Sequence, residues 1–149
     1  MNFARGKALN HMALEISSKP ENVGVARVAV ATFAASADWP LSAIEEIKLV
    51  VSEAVTNAVL YAYDEAAGGI IRVESALYED GIEIVVRDWG VGIPDVNLAR
   101  SASYSTDPDR MGLGFTFMES FSDELDVESV PGHGTTVRIW KAMAQKDLK

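Results

Sequence analysis

The chain has no cysteine and only two histidines, His11 and His133. Without cysteine there is no disulfide framework, no zinc–thiolate or iron–sulfur site and no thiol nucleophile. Two histidines are too few for a multi-histidine metal site. Basic residues are scarce too: 13 Lys plus Arg stand against 22 Asp plus Glu, a formal charge of −9. Nucleic-acid binding by phosphate neutralisation needs a basic face, so that partner class is excluded. No apolar run approaches the ~18 residues that cross a bilayer, and no signal-peptide core opens the sequence. A cytoplasmic location without a membrane partner is therefore expected. Two common phosphate loops, G-x-G-x-x-G after a strand and G-x-x-x-x-G-K-[ST], are missing as well.

What remains is a 149-residue, 48 % apolar chain. That length fits one domain, and chains of this size bury ~68–70 % of their unfolded surface. Residues 1–11 read as a flexible N-terminus and 142–149 as a charged tail. Met12, Leu14 and Ile16 alternate as a strand does. A first helix is expected from about Asn22, its candidate N-cap, to Ser36, with a face of Val25, Val28, Ala29, Thr32 and Phe33. Ser42 and Glu45 form a capping box for a second helix from about Ala43 to Tyr63. Its stripe is Ile44, Ile47, Val51, Val55 (or Ala54), Ala58 and Val59.

Strands are expected at Ile70–Tyr78 and Ile82–Asp88 around an Asp80-Gly81 turn. Leu113–Phe121 reads as a helix opened by Gly112, and Leu125–Val130 with Thr135–Trp140 as a second hairpin. The small, polar run Ser101–Arg110 is a long loop by composition, of the kind that often forms a functional lid. Together these give an α+β two-layer sandwich, its mainly antiparallel sheet covered on one face by about three helices.

Four clusters could carry chemistry. Glu53 and Asn57 are four residues apart, hence on one helix face, an arrangement shared with any solvated polar stripe. Asp88 has the parity of Ile82, Ile84 and Val86, so it faces the helical layer with them. A carboxylate there needs a hydrogen-bonded partner. With Gly90 and Gly92 permitting a close backbone approach, it suits the amino group of a flat ligand such as a purine. An ordinary Asp-Gly turn fits the same residues. Gly112 and Gly114 at a helix start leave free amides that suit phosphate, with Arg110 as a fork of donors. Gly132-His-Gly-Thr135 taken alone is a hairpin turn.

In chain order, Glu53-x-x-x-Asn57, Asp88-x-Gly-x-Gly92, Gly112-x-Gly114 and Gly134-Thr135 resemble the N, G1 and G2 boxes and closing Gly-Thr of the GHKL ATPases. The resemblance covers about residues 10–141. Ala26–Phe33, Val50–Ala58 and Tyr104–Phe121 further resemble the anti-sigma serine kinases, sporulation branch.

The resemblance implies ATP/ADP and Mg²⁺ as cofactors, with Asn57 the metal ligand and Glu53 the general base. It places Asp88 on the adenine amino group, Gly90 and Gly92 beside the base, and Thr135 at the adenine end. Arg110, Gly112 and Gly114 would cradle the phosphates under a lid at 99–111, and Arg27 would contact partners. The implied activity is inhibition of a sporulation sigma factor (sigma F type) and phosphorylation of a serine on an anti-anti-sigma antagonist, by a homodimer. The alternatives are a stress-response (sigma B type) anti-sigma kinase and an ATP-dependent sigma-binding module without kinase activity. Leu60-Tyr-Ala-Tyr63 departs from the family pattern, where histidine and glycine are frequent, and leaves the packing of that helix end open.

Overall fold

The computed structural model describes residues 6–64, 68–100 and 111–143. Alternating apolar residues build β1 (Asn10–Ser17), β2 (Ile70–Tyr78), β3 (Gly81–Asp88), β4 (Glu124–Val130) and β5 (Gly134–Ala142). Between them lie α1 (Val23–Ala34), α2 (Leu41–Tyr61), α3 (Val96–Arg100) and α4 (Met111–Ser120). The strands form one antiparallel sheet in the order β1-β2-β3-β5-β4. Helices α1, α2 and α4 bury their apolar residues against one face of it, so the expected two-layer α+β sandwich is what forms.

The strand periodicity decides which side chains enter this core. Ile82, Ile84 and Val86 point at the helices, each at most 2 % exposed. Asp88 follows them inward by the same parity. Across the sheet Val73 and Val137 oppose Val86. Among the described residues no helix covers the other face, which carries charge: Arg72 pairs with Glu74 at 2.6 Å and with Glu15 of β1 at 3.2 Å. These pairs are solvent-exposed and keep that face wet rather than adding much stability.

Several local expectations are corrected. Asn22 occupies the N-cap position of α1 as expected, but its side chain makes no capping hydrogen bond. A 3₁₀ turn at Pro20–Asn22 leads into the helix, and the Asn22 side chain donates instead to the Ser17 carbonyl at 2.9 Å. The Ser42/Glu45 box is not formed either. Pro40, extended at φ −64° and ψ 154°, is the N-cap, and its carbonyl accepts the Ala43 amide at 3.0 Å. The helix therefore starts two residues early, at Leu41, and Glu45 pairs with Lys48 at 3.3 Å. At the first hairpin the two-residue turn is Glu79-Asp80, with Gly81 opposite Tyr78 inside the ladder. A Cβ on Gly81 would sit 2.5 Å from the Trp140 ring, so glycine is required there by an aromatic neighbour.

The largest correction concerns α1. Val25 and Val28, expected on the core face, are 54 % and 57 % exposed, and Ala26, Val30 and Ala34 are buried instead. Apolar residues run nearly all round this helix, so periodicity alone does not select a face. Alanines at 26 and 34 let α1 approach its neighbours closely, which decides the matter. The α2 stripe holds, with Ile47, Val51 and Val55 at 0 % exposure.

These assignments predict opposite outcomes for two valines on one helix. Val30→Ala should cost about 2 kcal/mol in denaturant unfolding, from two lost methylene equivalents plus a cavity. Val28→Ala should stay within about 0.5 kcal/mol of wild type.

Candidate functional site

The sheet end that carries Asp88 meets the C-terminal half of α2 and the start of α4. Between them opens a cleft of about 410 Å³, its mouth included. Asn57 and Ala58 of α2, Asp88, Gly92, Phe115 of α4 and Thr135 all line it. Ala54 and Ala58 keep the helix slim along this wall.

At one end is Asp88, 7 % exposed. Its Oδ1 accepts the Gly90 amide at 2.9 Å and the Thr135 amide at 3.2 Å. Both amides converge on one oxygen, leaving Oδ2 as an acceptor for a ligand. Burial pushes the Asp88 carboxyl above the ordinary carboxylate range, and the two amide bonds pull it partly back. A raised carboxyl favours protonation in the fold. Its contribution to stability is therefore present at low pH and is lost as pH rises through its folded value.

The loop after Asp88 is pinned to the end of α2. The Val91 amide donates to the Ala62 carbonyl at 2.8 Å, and the Trp89 amide to the Tyr63 hydroxyl at 2.7 Å. Tyr63 in turn donates to the Ile70 carbonyl at 2.6 Å. A Cβ on Gly90 would land 1.9 Å from the Ala62 carbonyl oxygen, so glycine is needed there by contact with the helix end. Gly92 has φ +80°, a conformation side chains disfavour. Its amide has no partner among the described residues. The packing of Leu60-Tyr-Ala-Tyr63 is thus settled: Ala62 is 5 % exposed and Tyr63 is a hydrogen-bond bridge.

At the other end lies Asn57. It is 9 % exposed, and among the described residues neither its Oδ1 nor its Nδ2 has a hydrogen-bond partner. An unsatisfied buried amide costs on the order of 1–3 kcal/mol, and such a group calls for a missing partner. Gly114 stands over it. A Cβ at 114 would lie 2.9 Å from Asn57 Nδ2 and 3.1 Å from Oδ1, so the glycine keeps this amide reachable. Gly112 and Gly114 fall inside the first turn of α4 rather than before it, since α4 starts at Met111. The first four amides of a helix are unbonded within it and suit an anion. Glu53 sits one turn before Asn57 on α2, half-buried and outside the cleft's lining. Ala99 and Arg100, expected in the lid, belong to α3, and Arg100 Nε donates to Glu119 of α4 at 2.8 Å. Arg110 and residues 101–109 lie outside the described residues.

Arg27 is not among the residues that line the cleft. Its Nη1 donates to Ser52 Oγ of α2 at 3.2 Å. Sequence reasoning missed Tyr63 and Ser129. Ser129 Oγ accepts the Ile93 amide at 2.6 Å and lies 2.8 Å from Thr135 Oγ1. The signal was available: Ser129 shares the inward parity of Leu125 and Val127 and stands opposite Thr135 across the β4–β5 ladder.

A cleft with a buried carboxylate at one end and an orphaned amide beside helix-terminal amides at the other matches a nucleotide's base and phosphates. Residues 16–141 match the histidine kinase-like ATPase domain, which covers most of the chain. The chain belongs to that ATPase family and, within it, to the anti-sigma F factors. It is 47 % identical over 140 residues to the anti-sigma F factor of Geobacillus stearothermophilus, across 92 % of this chain and 95 % of that one. It is 43 % identical over 134 residues to that of Clostridium beijerinckii, across 89 % and 94 % of the two chains. The solved RsbU and RsbW domains of a Mycobacterium tuberculosis protein share the fold, with a TM-score of 0.65 and 19 % identity over 90 % of this chain and 32 % of that one. Among the described residues no helix is long and apolar enough to cross a membrane.

Asp88→Asn separates binding from stability. Its neutral amide still accepts from Gly90 and Thr135 and removes the cost of a buried charge. The thermal midpoint at pH 7 should equal or exceed wild type, with no such gain near pH 3, where Asp88 itself is protonated. ATP affinity by calorimetry should fall at least about tenfold, because the ligand-facing acceptor becomes a donor.

Proposed function

We propose that this chain binds ATP with Mg²⁺, phosphorylates a serine of an anti-anti-sigma antagonist, and sequesters a sporulation sigma factor of the sigma F type, acting as a homodimer. The observation that carries the nucleotide reading is Asn57: a buried side-chain amide whose two polar atoms are unbonded among the described residues, kept reachable by Gly114, in the cleft that Asp88 also lines. The names of the relatives favour the sporulation branch over the stress-response one.

Asn57 offers an amide oxygen, a donor type that suits the hard Mg²⁺ ion. Asp88 Oδ2 accepts from the adenine amino group, and Gly92 lines the same cleft. Thr135 closes the adenine end. The first-turn amides of α4 at Gly112 and Gly114, with Arg110, hold the phosphates, and the segment between α3 and α4 forms the lid. ATP with Mg²⁺ supplies the transferable phosphoryl group and neutralises its charge. Such transfer asks the protein chiefly for positioning. Glu53, one turn from Asn57, takes the proton of the incoming serine hydroxyl. A module that only binds sigma would need no carboxylate at that place.

Arg27 supports the partner role. It is flanked in sequence by the exposed Val25 and Val28, so α1 presents an arginine among apolar groups. That composition is enriched at protein interfaces.

Glu53→Gln should retain ATP affinity while phosphate transfer from labelled ATP to the antagonist falls by roughly 10²–10⁴-fold. Transfer at the wild-type rate would remove the base. Arg27→Ala should weaken binding of the sigma factor at least about tenfold, read by surface plasmon resonance. Unchanged affinity would remove the contact.

A further inference from the structure

Lys48, Arg72, Arg100 and Lys141 each pair with a carboxylate. Arg27 is held differently. Its Nη1 donates to a neutral hydroxyl, Ser52 Oγ, at 3.2 Å, across the packing of α1 on α2. Its Nη2 lies over Gly24, one turn earlier on α1, where a Cβ would stand only 3.1 Å away. The guanidinium is therefore set from two sides. Gly24 leaves it room against the helix, and Ser52 gives it a direction. Arg27 and Ser52 are both half-buried, so this hold sits at the edge of solvent.

A guanidinium carries five N–H donors in a planar fork. Ser52 takes one of them. Among the described residues the other four have no partner, and no carboxylate neutralises the charge. An arginine free to sample its rotamers loses that freedom when a partner binds, and the loss is subtracted from the affinity. An arginine already held has lost it beforehand. The hold here uses a neutral acceptor and one donor of five, so a partner can engage the remaining donors without breaking it.

We propose that Ser52 is a positioning residue for partner binding: its hydroxyl, with the space left by Gly24, holds the Arg27 guanidinium along the contact of α1 with α2, with four donors open to the sigma factor. This rests on the reading of Arg27 as a partner contact given above. Ser52 does not line the nucleotide cleft, although it directly precedes Glu53 on α2. Its effect should therefore be confined to partner binding and should pass through Arg27.

The test is a double-mutant cycle on the full chain, read by surface plasmon resonance with the sigma F-type factor of the same organism as the probe, at a fixed Mg²⁺-ATP concentration. Ser52→Ala should weaken binding roughly 3- to 10-fold, the cost of ordering one long side chain on association. Alanine is the stronger helix former, so α2 keeps its fold in this variant. Ser52→Thr, which retains the hydroxyl, should bind as wild type does. In an Arg27→Ala background Ser52→Ala should cost less than about 1.5-fold, because nothing is left for the hydroxyl to position. The ATP affinity of Ser52→Ala, by calorimetry, should match wild type. Four results overturn the proposal and leave Arg27 as a partner contact. They are sigma binding by Ser52→Ala within about twofold of wild type, tighter binding by that variant, an undiminished loss in the Arg27→Ala background, and a parallel loss of ATP affinity. Wild-type sigma affinity in Arg27→Ala overturns the partner reading of Arg27 and this inference with it.

Discussion

One buried oxygen organises the functional end of this molecule. Asp88 Oδ1 accepts amides from two places that are distant in sequence, Gly90 just after its own strand and Thr135 at the start of β5. That convergence holds the loop after β3 against the second hairpin. It also turns the other carboxylate oxygen outward as a fixed acceptor. The cost is a carboxyl held above its ordinary range by burial. The surrounding backbone is arranged to tolerate this charge, with Ala62, Tyr63 and Ser129 bonding the neighbouring amides so that few donors around it are left unmet. A preorganised polar wall of this kind binds without having to rearrange.

The second constraint is electrostatic. A chain of formal charge −9 that takes a polyanionic ligand must keep its acid away from the ligand. Among the described residues the cleft lining includes alanine, valine, glycine and aromatic groups, with Asp88 its single acidic member. Other acids are spread over the outer sheet face, where Arg72 pairs with Glu15 and Glu74. The net charge therefore describes the surface and not the cleft. It also suits partners with basic surfaces.

Much of the fold was legible because its signals are local. β2 runs from Ile70 to Tyr78 as its alternation predicts, and the α2 stripe through Ile47, Val51 and Val55 is fully buried. Inward parity alone carried Asp88 into the helical layer. The failures have physical causes too. Ser42 and Glu45 satisfy a capping pattern, but a proline at 40 fixes the chain direction two residues earlier. Val25 and Val28 match a helical period, yet α1 is apolar on both faces and packs through its smaller residues. Ser129 went unread although its parity was legible, because that parity gains a meaning only once Thr135 is known to stand opposite it.

By itself the sequence determined the class of chemistry: no thiol or histidine metal site, four short motifs in a fixed order, and a carboxylate, an amide and glycines of the right types. Residue type and spacing along one element suffice for that, since they follow from helical and strand periodicity. Tertiary structure alone decided which groups meet. The cleft joins α2, β3, α4 and β5, so it is built from contacts between residues as far apart as Asn57 and Thr135. The reason Gly90 must be glycine lies on another element, at Ala62, and the reason for Gly114 lies at Asn57. Steric exclusion and hydrogen-bond satisfaction act between neighbours in space, and no one-dimensional pattern records them.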